Sequence, residues 1–270
     1  MNATRPRLLL LSLAAAALLA GCPHRIPPPD DAIAEPKVLA EAVDARVDQI
    51  ESMRLKNVVL DYYGADQRVK VRQLVLVKKP TFLRVQTRAP GTEEIMSLLV
   101  SDGTTFALHR RDTNTYYHGT ATPEHIARLL PVDLSARDVV RVMLGGAPWD
   151  RFRRIGDAPR LEWDAKRGKY RYEAPTDPGG VLSMWVRPTD YAVVEVAQTD
   201  ADGELVYRYT TDDWKRHGTV ALPTYRRFVW PARHLDFSMD VGETQLNVDL
   251  PEMLFKFPPP PGSQIVDVDG

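Results

Sequence analysis

The chain contains one cysteine, Cys22, in 270 residues, so it cannot form an intrachain disulfide. A charge excess is also missing. Lys and Arg number 35 against 36 Asp and Glu, for a formal net charge of −1. The charges are mixed along the chain, which gives no basic surface for nucleic acid and points to no strongly charged partner. Long apolar runs are absent too. The longest, Leu8 to Ala20, is broken only by Ser12. As a helix it reaches about 20 Å, short of the roughly 30 Å hydrocarbon core of a bilayer. There is no G-x-S-x-G elbow, no phosphate-binding loop and no dinucleotide fingerprint. The six histidines (His24, His109, His118, His125, His217, His234) include no i, i+4 pair and have no cysteine partner. Asp200 to Glu204 is too short for an EF-hand loop and reads as a hairpin turn. No catalytic residue, metal ligand or cofactor is therefore assigned, and an enzyme is not expected.

What is present starts at the N-terminus. Arg5 and Arg7 precede the apolar run, which ends in Leu19-Ala20-Gly21-Cys22. This order of charge, apolar segment and small residues reads as a secretory signal peptide over 1–21. Its end resembles the bacterial lipobox, in which the cysteine is lipidated and becomes the new N-terminus. Several acyl chains on Cys22 give stable anchoring, at about 0.8 kcal/mol for each buried methylene. Pro23, rather than aspartate, follows the cysteine, so the expected location is the outer membrane, on its periplasmic side. Residues 22–36 carry the lipidated cysteine and a linker, with five prolines between Pro23 and Pro36. Such a segment tends to polyproline II and reads as a semi-rigid spacer.

Residues 37–270 read as one β-rich domain. Val38, Leu39, Ala42, Val43, Val47 and Ile50 recur at helical spacing, predicting a helix from Lys37 to Met53. The period then changes to two, in stretches such as Val58-Leu60-Tyr62, Leu205-Tyr207-Tyr209 and Leu235-Phe237-Met239-Val241. Leu161 and Trp163 are expected to pair with Tyr170 and Tyr172 across a turn at 166–168. Residues 123–147 read as a helical insertion, with Ser135 as N-cap and Gly145-Gly146 as the stop. The expected fold is mainly β: a curved antiparallel sheet or incomplete β-barrel of roughly 11 strands, with helices covering the concave face. A sheet that large must curl or close. The five tryptophans and ten tyrosines fit either a solid core or the lining of a ligand cavity.

The order of elements and three stretches resemble the LolA/LolB-type lipoprotein carriers and receptors of Gram-negative bacteria. The stretches are Leu130-Pro131-Val132-Asp133-Leu134 with Met143 to Pro148, then Phe82 to Val100, then Met253 to Val268. The resemblance implies an incomplete barrel around a hydrophobic cavity for acyl chains. It also implies, as partners, lipoproteins or lipids held through those chains and a periplasmic LolA-like carrier. Lipid attachment favours the membrane-anchored, LolB-like side, acting as a monomer in lipoprotein localisation. The expected cavity lining is Leu83, Val85, Met96, Leu98, Phe106 and Leu108 from the sheet and Val139, Val142, Met143 and Leu144 from the insertion. Gly145 and Gly146 are the expected hinge of the helical lid. LolB-type receptors carry a large apolar residue on a protruding loop, whereas the matching loop at 89–94 has no leucine. Either Ile95 or Met96 supplies that contact, or the insertion role is absent. A structural lipoprotein with the same fold and a filled cavity is the alternative.

Overall fold

A computed structural model describes residues 25–64, 68–89, 91–125, 134–155 and 158–270. The expected signal peptide, Cys22, and the Leu130–Asp133 part of the first motif lie outside the described residues. The strands form one 14-stranded sheet rather than roughly 11. They are β1 (Ser52–Tyr63), β2 (Arg68–Lys78), β3 (Phe82–Arg88), β4 (Ile95–Ser101), β5 (Thr105–Arg110) and β6 (Thr115–Thr120), then β7 (Arg160–Asp164), β8 (Lys169–Thr176), β9 (Gly180–Val186), β10 (Val193–Thr199), β11 (Leu205–His217), β12 (Val220–Trp230), β13 (Leu235–Leu246) and β14 (Gln264–Asp267). A count based on alternation misses β9, which is apolar on both faces, and β14, which is four residues long.

Two antiparallel meanders, β1–β6 and β7–β13, meet where β1 pairs with β13 from Met53↔Leu246 to Tyr63↔Asp236. The sheet ends at β7 on one side and at β14 on the other. It therefore curls without closing into a barrel. β14 is the one departure from antiparallel order, since it joins β6 in parallel. The expected hairpin register holds, with Leu161↔Tyr172 and Trp163↔Tyr170. In β1 one extra residue separates Leu55↔Val75 from Val58↔Gln73. Asn57 takes a left-handed conformation there (φ +52°), opposite Gly242, where a Cβ would lie 3.0 Å from that of Asn57. This bulge resets the alternation, so Met53 and Leu55 before it and Val58 after it join the same core.

Helix α1 (Pro36–Asp48) starts with proline in its first turn and buries Leu39, Val43 and Val47. It stops five residues before the expected Met53. Ile50 turns back to donate its N–H to Val47 O at 2.9 Å, and Ser52-Met53 are already strand. The insertion is helical at 123–125, as expected, and runs past 147 to include, among the described residues, the helices α2 (Ala136–Met143) and α3 (Trp149–Ile155). Ser135 caps α2, its hydroxyl accepting the Asp138 N–H at 3.1 Å. Gly145 (φ +84°) ends α2 in a Schellman motif: Gly146 N–H donates to Arg141 O and Gly145 N–H to Val142 O. Asp138 then joins the two helices. Its carboxylate accepts the N–H groups of Asp150 and Arg151 at 3.0 and 2.8 Å, while Ser135 Oγ donates to Asp150 at 2.8 Å.

The cores lie mainly on the concave side. One cluster sets the end of α1 and α2 against β1–β5, and another sets α1 and α3 against β8–β13. On the convex side the C-terminal segment covers β2–β6. Phe255 and Leu250 pack on Leu76, and Phe257 packs against Leu98, Val100, Ala107 and Tyr116. The proline-rich stretch also lies against the sheet. Ile26 N–H donates to Ala165 O at 2.8 Å, Trp163 Nε1 to Ile26 O at 2.8 Å, and Ile33 N–H to the Tyr170 hydroxyl at 3.0 Å.

Burial raises the pKa of Asp138 to about 6, against the opposing pull of its two backbone hydrogen bonds. Between roughly pH 4 and 6 the native state then holds a proton that the unfolded state has released, so this group's contribution to stability falls as pH rises through that window. The two-unit shift corresponds to about 2–3 kcal/mol. Protection factors over 134–155, the intrinsic exchange rates divided by the observed rates at the same pH, are expected to rise on acidification from pH 7 to 5, and Asp138→Asn is expected to flatten that rise.

Candidate functional site

Between the concave face and α2–α3 lies a cavity of about 390 Å³, within the usual range for small-molecule sites. Its walls come from both meanders. On one side are Leu60 and Tyr62 of β1, Val75 of β2, Leu83, Val85 and Thr87 of β3, Ser97 and Leu99 of β4, and Leu108 of β5. On the other are Val196 of β10, Tyr207 and Tyr209 of β11, Arg226, Phe228 and Trp230 of β12, and Phe237 and Met239 of β13. Leu134, Val139, Val142 and Met143 form the cover, with Pro148 and Arg151 beside them. Antiparallel pairing brings these strands together with inward residues in step: Val85 faces Leu99 across β3–β4, Leu99 faces Leu108 across β4–β5, and Phe228 faces Phe237 across β12–β13.

Of the ten residues expected to line the cavity, Leu83, Val85, Leu108, Val139, Val142 and Met143 do so. Met96 and Leu98 sit on the opposite face of β4, where Met96 is exposed and Leu98 packs under the C-terminal segment. Their places are taken by Ser97 and Leu99. Leu98, Leu99 and Val100 are all apolar because β4 is covered on both sides, so alternation does not reveal which face is which. Phe106 and Leu144 are buried in the packed core; Phe106 meets the His125 ring 6.3 Å away, and Leu144 is fully enclosed.

Gly145 and Gly146 lie where α2 meets α1. A Cβ on Gly146 would come 2.7 Å from Val47 Cγ2, and one on Gly145 would come 3.0 Å from Arg46 Nη1. Buried Arg46 ties this corner, donating to Gly145 O at 3.2 Å and to Ala221 O. The left-handed stop and the close approach to α1 both require small residues here.

Three polar features were not read from the sequence. Arg151, buried, donates to Gln198 Oε1 at 2.6 Å and lies 5.1 Å from the Tyr207 ring centroid. Tyr209 is half-buried in the cavity wall, and desolvation pushes its hydroxyl pKa upward against the opposing effect of Arg226. Arg226 stands at an inward position of β12 between Leu222 and Phe228. That signal was present: a cation in phase with an apolar alternating row. Among the described residues no group of three or more His, Cys, Asp or Glu is arranged to hold a metal, and no helix is long and apolar enough to cross a membrane. The Asp200–Glu204 stretch is a hairpin turn, with Asp200 Oδ1 accepting the Asp202 and Glu204 N–H groups at 3.0 and 2.9 Å.

No protein-family model matches the sequence, and no curated protein matches it. Solved structures do match in shape. A LolA superfamily protein from Nitrosomonas europaea superposes with a TM-score of 0.57 at 15% identity, over 84% of this chain and 99% of the other. A DUF1329 family protein from Desulfovibrio piger gives 0.59 at 14%, over 82% and 95%. A domain from Vibrio parahaemolyticus assigned by name to outer membrane lipoprotein sorting gives 0.57 at 9%, over 82% and 97%. The fold is therefore of the LolA type, divergent in sequence.

Proposed function

We propose that this chain is a lipid-anchored protein of the Gram-negative outer membrane that binds acyl chains of lipoproteins or lipids and assists their localisation there. The observation that carries this reading is the apolar cavity, bounded by the sheet and the α2–α3 cover and left open between two packed cores. Binding is by partition. An alkyl chain leaving water for this wall gains about 0.8 kcal/mol per methylene without directional contacts, so selectivity along the chain is low. The cavity suits one small ligand or a single chain. A triacylated cargo therefore needs α2 and α3 displaced, and the α2–α1 corner at Gly145-Gly146 is the joint at which that displacement starts.

The topology supports an orientation. Strand β7 leads into the 165–168 turn, and counting strand directions across the sheet puts the β3–β4 loop, 89–94, at the other end of the strands. Ile26 is bonded to that turn, four residues beyond Cys22, a reach of about 14 Å at most. A lipidated Cys22 thus holds the 165–168 turn at the membrane and turns exposed Ile95 and Met96 away from it. In this reading those two residues meet an incoming carrier or cargo, not the anchoring bilayer. A fluorophore at position 166 of the membrane-bound lipoprotein is expected to be quenched by bilayer-embedded quenchers, and one at position 93 is not. Equal quenching would overturn the orientation.

The binding reading is tested with the full chain carrying Cys22→Ser and a fluorescent fatty-acid-like probe. Saturable binding of about one probe per chain is expected. A folded chain that binds no apolar probe would return the protein to the structural alternative.

A further inference from the structure

The inward positions of β12 form a largely apolar row, with Val220 and Leu222 in one core and Phe228 and Trp230 toward the other. Arg226 interrupts that row. It is 3% exposed and lines the cavity. Its guanidinium donates from Nη1 to Pro223 O at 2.9 Å and from Nη2 to Met143 O at 3.3 Å, while Nε has no partner. Among the described residues no carboxylate pairs with it. A buried cation whose partners are all neutral, two carbonyls and the Tyr209 hydroxyl, and whose Nε is unpaired, is an incomplete arrangement. Arg46 makes the contrast. It is also buried and bonded to carbonyls, but it does not line this cavity.

A guanidinium presents its N–H groups in a rigid fork that matches a compact oxyanion in two parallel charge-assisted bonds. Nε together with an Nη group forms one side of that fork. Arg226 stands in the wall beside Tyr209 and Met239, so an oxyanion on it has the apolar lining immediately available for an attached chain. We propose that Arg226 receives the anionic head of a single-chain amphiphile, a carboxylate or phosphate monoester, whose alkyl chain fills the cavity. This rests on the acyl-binding reading and narrows it: low selectivity along the chain is combined with selection for charge at its end.

The test compares dodecanoate, dodecyl phosphate and dodecanol as displacers of the fluorescent probe from the Cys22→Ser full chain, beside the same chain with Arg226→Met. The two anions are expected to bind about tenfold or more tightly than the alcohol, the preference that charged hydrogen bonds supply. Arg226→Met is expected to erase that preference while dodecanol binding persists, which also shows that the variant folds. Equal binding of all three to the unsubstituted chain would overturn the proposal and leave the cavity reading standing. Binding of none would overturn both. Inorganic phosphate or acetate displacing the probe as well as the chain-bearing anions would mark a site for free anions and overturn the amphiphile assignment.

Discussion

Ser97→Phe is expected to raise the dissociation constant of an alkyl probe about a hundredfold while the protein stays folded. Ser97 points into the cavity from β4, between Thr87 of β3 and Arg110 of β5, with Leu99 beside it on the same face. Among the described residues its hydroxyl makes no hydrogen bond, so its loss leaves none of them unpaired. A phenyl ring at this point takes space otherwise used by about four methylenes of the ligand. At about 0.8 kcal/mol each this is about 3 kcal/mol, or roughly a hundredfold in affinity. Because the ring is apolar and enters an apolar space, urea unfolding is expected to show equal or greater stability. Unchanged probe affinity in a folded Ser97→Phe chain would mean that the alkyl chain binds elsewhere.

The second large effect is on stability and should leave binding alone. Phe255 is 2% exposed and sits on the convex side, its ring centroid 5.3 Å from that of Phe82 and its side chain packed with Leu76 and Leu250. Arg84 Nη1 holds the same segment by donating to Leu254 O at 2.8 Å. Phe255→Ala removes a buried aromatic from a site that the sheet backbone prevents from collapsing, at a cost of about 3–5 kcal/mol. The urea midpoint is expected to fall accordingly. Probe affinity is expected to hold at urea concentrations where the variant remains folded, because the cavity lies on the other face of the sheet. A joint loss of stability and affinity would show that the convex cover shapes the cavity.

Much of this architecture is legible in the sequence wherever one face of an element meets water. The helix at 36–48, the Trp163↔Tyr170 hairpin and the inward rows of β1, β11 and β13 all follow from apolar spacing. The Ser135 cap and the Gly145 stop follow from cap chemistry. Legibility fails where both faces are covered. The C-terminal segment that buries Leu98 makes the centre of β4, Leu98 to Val100, apolar on both faces, so alternation does not separate Met96 and Leu98 from the inward face of Ser97 and Leu99. Phe106 and Leu144 have the right character for a cavity wall and are core instead, because apolar spacing does not distinguish a filled interior from an empty one. The 14th strand is parallel, four residues long and distant in sequence from its partner β6, so no local period announces it. Ile26, in a stretch whose composition reads as a semi-rigid spacer, pairs with Ala165 at the β7–β8 turn, a contact that no local pattern announces.

The most direct measurement uses a fatty acid with a photoreactive diazirine in its alkyl chain, bound to the Cys22→Ser full chain, illuminated and mapped by peptide sequencing. The account predicts adducts on the concave wall and its cover, in the segments holding Leu99, Phe228 and Val139 to Met143. Adducts on the convex side around Met253 and Ile265, or no saturable labelling, would contradict it.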